Sequence, residues 1–403
     1  MKTTVAVIGG GAAGLAAALA ALRQGAAVVV LEKGKALGRK VLASGGGRCN
    51  LGNARVSAGR YHGGDKAFVS ALLEGFDVRA FFEELGVPVM EEADGRLFPR
   101  CGRSQAVVGA LQAALNELGA ETRLEAAVEG VDKSGKGFIL RLGQERLAAD
   151  ALVLACGGLG YPKLGGGREG YSLVESLGHK LTELTPALVP LCAGASWPQE
   201  LDGVRVEAAL RVEHSGRELA QARGELLFTD YGVSGPAALD VSREAARACL
   251  KGQVEGVVDL FPERSEGEFL SFLKKRAQRF KTRSLKGFFI GLLPEKVPAV
   301  LLKRLGLDAH APASTLDEAE LNRLGGTLKG WRFPVTGPRP WDEAMATAGG
   351  VRVPEVDPHT LESRKARGVY LAGEMLDVDG DSGGFNLQFA WASGMRAGSS
   401  AAG

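Results

Sequence analysis

The sequence lacks the features that mark several classes of protein. Its five cysteines stand far apart, with no Cys-x-x-Cys pair and no Cys/His cluster, so a disulfide scaffold and a zinc site are both disfavoured and no metal is expected. An excess of one charge is missing too, because 49 basic and 47 acidic residues leave a net charge of +2. This balance disfavours a histone-like binder and leaves only a local charged patch open. The scattered cysteines favour a reducing compartment, and we expect a cytoplasmic protein.

An unbroken apolar run of membrane-spanning length is also missing. The stretch from Val5 to Leu22 comes nearest, but Gly9, Gly10, Gly11 and Gly14 interrupt it, and a strand-like run follows at once. Signal peptides and membrane anchors need a continuous apolar helix. Both are therefore disfavoured, and no membrane partner is expected.

Glycine, by contrast, is abundant, at 58 of 403 residues. The glycines show no collagen period, so they must serve turns and close approaches of the backbone. A chain of this length is expected to form two or three domains.

The N-terminal residues form a nucleotide-binding pattern. A β-type run, Thr3–Ile8, leads into a Gly-x-Gly-x-x-Gly turn, an alanine-rich helix and a second strand that ends at Glu32. Gly9 permits the tight turn, Gly11 lets the backbone approach a pyrophosphate, and Gly14 lets the helix pack closely on the strand. Glu32 lies 18 residues after Gly14, where it would bind a ribose hydroxyl. This acid favours FAD or NAD over NADP.

A second glycine-rich loop follows directly and distinguishes between these cofactors. Residues 38–50 contain three consecutive glycines beside Arg39, Lys40 and Arg48. Such a loop predicts a backbone nest with cationic neighbours, suited to an anion. An NAD dehydrogenase has no need of a second phosphate loop here, whereas a flavin dinucleotide held in an extended pose does.

Two segments carry a specific resemblance. Gly38–Asn50, with Asn53, resembles the fingerprint of the BaiN/YhiN-like family of FAD-dependent oxidoreductases, also called aminoacetone oxidase family FAD-binding enzymes. Val369–Gln388 resembles the family's closing motif, and Phe228–Ala237 and Thr347–Val351 also fit. The resemblance covers nearly the whole chain and implies bound FAD.

The turns and the resemblance together predict the FAD site. The resemblance implies that the backbone near Val128 meets the adenine and that the C-terminal segment closes the flavin site. A helix beginning near Asn386 could stabilise negative charge on a reduced flavin. The predicted cofactor-binding residues are Gly9, Gly11, Ala12, Ala13, Gly14, Glu32, Lys33, Arg39, Lys40, Ser44, Gly45, Gly46, Gly47, Arg48, Cys49, Asn50, Val128, Gly157, Gly158, Gly373, Glu374, Gly384, Asn386 and Leu387.

The predicted fold is α/β: a Rossmann-like three-layer FAD-binding domain with an inserted antiparallel β-barrel and a small helical subdomain. Residues 1–190 and 341–403 are assigned to the FAD-binding domain, 191–260 and 326–340 to the barrel, and 261–325 to the helices. Alternating apolar residues between Val204 and Val212 indicate the barrel. Thr122–Val131 and Gly137–Leu142 are expected strands of a small antiparallel extension.

The resemblance also implies the chemistry. The family includes reductases of conjugated C=C bonds, a ribosomal-RNA uridine reductase and an aminoacetone-type amine oxidase, all of which use flavin N5 as hydride donor or acceptor. We expect a reductase of a conjugated C=C bond in a small molecule, with NADH or NADPH as reductant. A dihydrouridine synthase acting on uridine of 23S ribosomal RNA, an amine oxidase and a non-catalytic flavin-dependent sensor stay open as alternatives.

Two features bear on the reaction and the substrate. Cys49 is the candidate proton donor and Arg48 could tune its thiol, although a packing role for Cys49 beside the cofactor is an equal alternative. Seven basic residues between positions 274 and 286, with Phe272 and Phe280 interleaved, could bind RNA phosphates and bases, or could be a solvated helix face. These residues are Lys274, Lys275, Arg276, Arg279, Lys281, Arg283 and Lys286.

Overall fold

The computed structural model describes residues 2–403, and the chain divides into two compact units. The first unit is made of the chain up to Thr185 together with Met345–Gly403, and the second is Pro186–Ala344. No helix in the described part of the chain combines the length and apolar composition that spanning a bilayer requires.

The strands are short and numerous. In chain order they are β1 (Thr4–Ile8), β2 (Ala27–Leu31), β3 (Gly52–Asn53), β4 (Tyr61–Gly63), β5 (Val89–Glu91), β6 (Arg96–Pro99), β7 (Glu121–Arg123), β8 (Gly130–Ser134), β9 (Gly137–Leu142), β10 (Glu145–Ala149), β11 (Ala151–Leu154), β12 (Thr185–Ala187), β13 (Leu191–Ala193), β14 (Arg205–His214), β15 (Arg217–Thr229), β16 (Gly232–Ser234), β17 (Val254–Asp259), β18 (Trp331–Pro338), β19 (Ala346–Ala348), β20 (Val369–Leu371) and β21 (Val378–Gly380).

The α-helices range from one turn to 18 residues. They are α1 (Ala12–Arg23), α2 (Arg39–Ala43), α3 (Lys66–Leu73), α4 (Val78–Glu84), α5 (Ser104–Glu117), α6 (Glu169–Ser176), α7 (Ser196–Glu200), α8 (Pro236–Cys249), α9 (Glu266–Arg279), α10 (Leu285–Phe288), α11 (Lys296–Leu305), α12 (Glu318–Lys329) and α13 (Phe385–Ala402).

Five parallel strands form the central sheet of the first unit, in the order β20-β11-β1-β2-β7. The middle strands are apolar and almost wholly buried, as expected when both faces of a parallel sheet are covered. Strand β20, near the C-terminus, is therefore part of the same sheet as the N-terminal strand β1.

Helices α1 and α13 approach each other very closely. A Cβ on Gly394 would lie 2.2 Å from Ala13 O, and one on Gly398 would lie 2.0 Å from Ala17 O. Larger residues would collide with the backbone of α1, so these glycines allow the last helix to pack on the first. The packing fixes the start of α13 relative to the glycine turn after β1.

Smaller antiparallel sheets complete the first unit: β10-β9-β8, β3-β6-β5 and β21-β4. The predicted strand Thr122–Val131 is wrong as a single element, because β7 ends at Arg123 and β8 begins at Gly130. The intervening backbone turns at Glu125, whose φ is 53°, and the Ala126 N–H donates to Glu32 O instead of to a strand ladder.

A closed antiparallel barrel, in the order β13-β16-β15-β14-β17-β18, forms the centre of the second unit. Closure leaves no strand edge exposed. Within the same unit, Trp197 stacks on Trp331 with ring centroids 4.1 Å apart, and its indole N–H donates to Arg332 O. The predicted fold class, a Rossmann-type domain with an antiparallel barrel, is confirmed.

The second unit also contains the helices α7 and α8 and the helical segment α9 to α12. Capping boxes start α9 at Ser265 and α12 at Asp317. Helix α12 continues to Lys329, past the boundary at 325/326 that the sequence predicted, because Leu328 is fully buried and holds the last turn in the core.

Candidate functional site

The glycine turn after β1 contains two kinds of glycine. Gly9 has a φ of 108°, and a Cβ on it would lie 2.4 Å from Ala155 O; a Cβ on Gly14 would lie 1.8 Å from Gly9 O. The protein's own packing requires these two. Gly11 has a φ of −81°, and a Cβ on it would meet nothing within 4 Å. Neither its conformation nor its neighbours explain the glycine, so the free space beside Gly11 fits a ligand at the N-terminus of α1.

That helix end offers donors to a ligand. Gly11 is the N-cap of α1, and no side chain caps the helix. The first-turn amides, which belong to Ala12, Ala13 and Gly14, therefore have no side-chain acceptor. Amides and a positive helix dipole suit the pyrophosphate of a dinucleotide.

Glu32 faces this turn from the end of β2. Its carboxylate accepts hydrogen bonds from Gly10 N at 2.8 Å and from Gly34 N at 2.7 Å. The Ala126 N–H donates to Glu32 O, which places the segment leading to Val128 beside this acid. The two residues expected to meet the ribose and the adenine, Glu32 and Val128, thus belong to neighbouring segments. Lys33 forms an exposed ion pair with Glu169 at 3.0 Å.

The second glycine loop is a chain of left-handed residues. Gly45, Gly46 and Gly47 have φ values of 56°, 65° and 85°, and Gly46 and Gly47 face open space. Ser44 closes α2 by donating its hydroxyl to Val41 O at 2.7 Å. Left-handed backbone is costly for residues with a Cβ, which explains the three glycines.

The cations of this loop are already engaged. Arg39 donates to Lys163 O, and Lys40 pairs with Glu374 at 3.1 Å. Arg48 pairs with Glu92 at 2.6 Å, and its guanidinium lies 4.0 Å from the centroid of the Phe98 ring. The Arg48–Glu92 pair is exposed and contributes little free energy, so an incoming phosphate could replace Glu92 as the partner of Arg48.

Cys49 is enclosed in the core of the first unit and is fully buried. Burial raises the pKa of its thiol to about 12, and a hydrogen bond with Ser44 only partly opposes this. A general acid works best with a pKa near the working pH. The geometry therefore favours the packing role of Cys49 over the proton-donor role, and Arg48 is directed to Glu92 and Phe98 instead of the thiol.

The C-terminal segment meets the second loop at Asn50. The Asn50 Oδ1 atom is buried and has no hydrogen-bond partner within residues 2–403. A Cβ on Gly384 would lie 2.6 Å from it. Gly384 is the N-cap of α13, with a φ of 102°, and no side chain caps this helix either. An orphaned acceptor beside free helix amides fits a group that carries both donors and acceptors, such as a flavin ring.

Glu374 joins several of the predicted residues. Its carboxylate accepts from Thr347 N at 2.9 Å and pairs with Lys40. A Cβ on Gly158 would lie 2.6 Å from Glu374 Oε1, and the absence of a side chain at position 158 therefore leaves room for the Glu374 carboxylate. Gly157 and Gly373 have positive φ values of 73° and 74°. Sequence reasoning did not select Thr347 as a site residue, although it noted the segment that contains it.

Asn53 and Gln388, which are not among the site residues predicted from the sequence, hold the closing segment in place. Asn53 N donates to Gln388 Oε1, and Asn53 Nδ2 donates to Gly383 O. Asn386, which was selected, binds both Gly380 N and Gly380 O through its amide. Leu387 is partly buried against the core of the first unit. In residues 2–403, no group of three His, Cys, Asp or Glu side chains could hold a metal ion.

Three features together define a dinucleotide-binding flavoprotein. They are a Rossmann-type sheet, a glycine turn in which the fold itself does not require the glycine at position 11, and a last helix that returns to the second glycine loop. The chain belongs to the family described as HI0933-like protein Rossmann domain, whose model matches residues 3–400. The family assignment is confirmed, and with it an FAD-dependent oxidoreductase.

Named relatives extend over the full chain. A 3-dehydro-bile acid delta(4,6)-reductase of Clostridium scindens is 36% identical over 404 residues, covering 99% of this chain and 98% of that protein. A ribosomal RNA dihydrouridine synthase of Escherichia coli is 32% identical over 394 residues, covering 96% and 95%.

Solved structures show the same fold. A 3-ketosteroid Δ1-dehydrogenase from Sterolibacterium denitrificans matches with a TM-score of 0.54 at 13% identity, covering 99% of both chains. A 3-ketosteroid-Δ4-(5α)-dehydrogenase from Rhodococcus jostii matches with a TM-score of 0.50 at 17% identity, covering 100% of this chain and 97% of that one. At these identities the likeness concerns the fold alone.

Proposed function

We propose that this protein reduces a carbon–carbon double bond conjugated to a carbonyl group in a small molecule, with NADH or NADPH as the source of electrons. The observation that carries the proposal is the end-to-end similarity to a reductase of such a bond in a bile acid. The fit of the first unit to FAD, at Gly11 and at Asn50, supports it.

The residues of the first unit would each serve the cofactor in a different way. The α1 amides would hold the pyrophosphate, Glu32 would accept from a ribose hydroxyl, and Asn50 Oδ1 would accept from the flavin end. The uncapped start of α13 would stabilise negative charge. When bound, FAD supplies a hydride to one carbon of the double bond. The other carbon needs a proton.

The test begins with anaerobic reduction of the purified, FAD-bound protein by NADH and by NADPH in separate experiments. A 4-en-3-oxo steroid, mixed with the reduced protein, should then restore the flavin absorbance at 450 nm, whereas the saturated 3-oxo steroid should not. If an amine such as aminoacetone reduces the flavin and neither nicotinamide nucleotide does, the result favours the amine oxidase. Flavin that no donor reduces would point to the sensor.

Ribosomal RNA is a second candidate substrate, because two relatives named as ribosomal RNA dihydrouridine synthases are 32% and 30% identical to this chain. The basic run, which extends from α9 through the connecting segment to α10, gives only partial support. Lys274 pairs with Glu318, Lys286 pairs with Glu295, and Arg276 donates to Phe288 O and Ile290 O. The remaining four form no ion pair with described residues: Lys275, Arg279, Lys281 and Arg283.

The aromatic residues of this run are also partly engaged. Phe272 stacks beside Phe269 with centroids 6.2 Å apart, and the Arg283 guanidinium lies 4.0 Å from the Phe280 centroid. An RNA base would therefore compete with Arg283 for the Phe280 ring. The substrate residues predicted from sequence thus form a smaller free patch than their number indicates.

Dihydrouridine in 23S ribosomal RNA, measured by mass spectrometry with and without the gene, tests this candidate. Complementation should fail with Lys275→Ala/Lys281→Ala and succeed with the matched control Lys133→Ala/Lys136→Ala, which removes two exposed lysines from the first unit. Unchanged dihydrouridine on deletion contradicts the RNA function.

A further inference from the structure

A polar cluster of Arg60, His62 and Asp381 lies where β4 pairs with β21. The two strands are antiparallel, with His62 opposite Asp379. Asp381 follows β21 directly, and its N–H donates to Arg60 O at 3.0 Å. His62 Nε2 and Asp381 Oδ1 are 2.6 Å apart, and Arg60 Nη1 lies 3.4 Å from Asp381 Oδ2. Residues more than 300 positions apart in sequence therefore form one hydrogen-bonded cluster.

Hydrogen bonds connect the strands that carry the Arg60–His62–Asp381 cluster to the first turn of α13, the helix that closes the predicted flavin site. Tyr61 donates its hydroxyl to Phe385 O at 3.0 Å. The Asn386 amide binds the last residue of β21 through both its oxygen and its nitrogen. These contacts hold Asp381 close to Gly384, the N-cap that lies against Asn50.

The pairing defines what His62 can do with a proton. The Asp381 carboxylate accepts from Nε2, which leaves Nδ1 to face a ligand or solvent. Within residues 2–403, Nδ1 has no hydrogen-bond partner, and 38% of the side chain is exposed. A neutral imidazole held in this way accepts a proton at Nδ1, and its protonated form donates one.

Four other titratable groups of the first unit, Cys49, Cys156, Tyr61 and Asp379, are less suited to this task. Burial raises the pKa of Cys49 and of Cys156 to about 12, and it raises the pKa of Tyr61 well above its ordinary range. Asp379 is only 3% exposed. Histidine is the side chain that ordinarily changes charge between pH 5 and 8.

We propose that His62 donates the proton for double-bond reduction from Nδ1, and that Asp381 is a positioning residue that fixes the orientation of the ring by accepting from Nε2. The inference rests on the proposed function. One carbon of the conjugated double bond gains a hydride from the reduced flavin, and the other gains the proton from His62. The π bond is lost, the flavin is oxidised by two electrons, and a nicotinamide nucleotide and solvent restore the flavin and the imidazolium.

Rapid mixing of the reduced protein with a 4-en-3-oxo steroid tests the proton transfer, with flavin absorbance as the signal. His62→Gln should slow flavin oxidation at neutral pH by about 10²-fold, the lower end of the range for general-acid catalysis, and should retain its FAD. The control His359→Gln removes an exposed histidine of the same unit and should react at the wild-type rate. Equal rates for His62→Gln and wild type overturn the inference.

The role of Asp381 is tested by replacement and by rescue. Asp381→Asn should slow flavin oxidation, because an amide can also donate to Nε2 and no longer fixes which ring nitrogen carries the hydrogen, and Asp381→Glu should restore part of the rate. A wild-type rate in Asp381→Asn contradicts the positioning role.

A measurement independent of turnover separates this inference from the proposed function. In nitrogen-15 spectra of the resting protein, wild-type His62 should be the Nε2–H tautomer, and Asp381→Asn should lose that preference. An Nδ1–H tautomer in the wild type overturns the proposed geometry whatever the substrate is. If wild-type His62 has the expected tautomer but no enone oxidises the reduced flavin, the proposed function is contradicted, and the proton transfer with it.

Discussion

The side-chain oxygen of Asn50 is buried against Gly384, and no donor in residues 2–403 reaches it. A buried acceptor without a partner costs about 1–3 kcal/mol of folding free energy. Such atoms are rare in native proteins and each needs an explanation, which a bound ligand would provide for Asn50. Here it lies between the second glycine loop and the start of α13, the two segments whose resemblance to the flavoprotein family is strongest.

Asn50→Ala should therefore separate stability from cofactor binding. Without FAD, the variant should be as stable as the wild type or slightly more so, because the unpaired oxygen is gone. FAD affinity should fall about 3- to 10-fold, the value of one hydrogen bond. Urea denaturation and a titration of FAD fluorescence measure the two quantities.

Asn53→Ala is the matched control for Asn50→Ala. The Asn53 side chain already donates to Gly383 O and accepts from Arg55 N at 2.9 Å. Its loss should reduce the free energy of unfolding by about 1–3 kcal/mol even without FAD. A destabilised Asn50→Ala protein with unchanged FAD affinity would contradict a ligand role for Asn50.

Gly11→Val should fold and purify colourless. The backbone at Gly11 has a φ of −81°, which valine adopts, and no protein atom lies within 4 Å of the added Cβ. The side chain would occupy the space assigned to the pyrophosphate. Absorbance at 450 nm relative to 280 nm gives the FAD content, and circular dichroism gives the melting temperature.

Gly14→Ala provides the contrast to Gly11→Val. Its Cβ would lie 1.8 Å from Gly9 O, so the helix must move and the free energy of unfolding should fall by about 1–3 kcal/mol or more. A folded Gly11→Val protein with one FAD per chain would refute the pyrophosphate assignment.

Local sequence was sufficient for the parts of the fold that neighbouring residues determine. The turn after β1 and the strand ending at Glu32 are each encoded within a few residues, and the alternation from Val204 to Val212 indicates a strand of the barrel. The predicted strand Thr122–Val131 is too long because Glu125 N and Ala126 N donate to Gly34 O and Glu32 O, contacts between distant segments that the sequence does not show.

The parts of the site that the sequence did not reveal depend on contacts between distant segments. His62 meets Asp381 only because β4 pairs with β21, and Thr347 meets Glu374 only because β19 and β20 lie in one unit. Cys49 was placed at the flavin because of its neighbours in sequence. Cys49 has a left-handed φ of 63° and a fully buried side chain, and neither property can be read from the sequence.

Glu32→Gln should affect stability and FAD binding together, unlike Asn50→Ala. The carboxylate accepts from Gly10 N and Gly34 N through different oxygens, and an amide can replace only one of them. The free energy of unfolding without FAD should fall by about 1–3 kcal/mol, and FAD affinity should fall at least about tenfold. The same denaturation and fluorescence titrations apply, and a Glu32→Gln protein that binds FAD like the wild type would contradict the ribose role.

The buried thiol of Cys49 should make stability depend on alkaline pH. Burial raises its pKa to about 12, whereas a cysteine in an unfolded chain titrates near about 8.5. Between these values the unfolded chain binds fewer protons than the folded one, so the free energy of unfolding falls as pH rises. The contribution is complete below about pH 8.5 and decreases by up to about 1.4 kcal/mol per pH unit towards pH 12.

Urea denaturation of the wild type, Cys49→Ala and Cys101→Ala between pH 7.5 and 10 measures this contribution. Cys49→Ala should be less stable at pH 7.5, because it leaves a small cavity, and its stability should decline less steeply above pH 8.5. Cys101 is exposed, so its replacement should leave the wild-type slope unchanged. Cys156, whose pKa is also raised to about 12, contributes equally in all three proteins and cancels from the comparison. Parallel curves for the wild type and Cys49→Ala would mean that Cys49 ionises in the folded protein, and its thiol would then again be a candidate for the chemistry at the flavin.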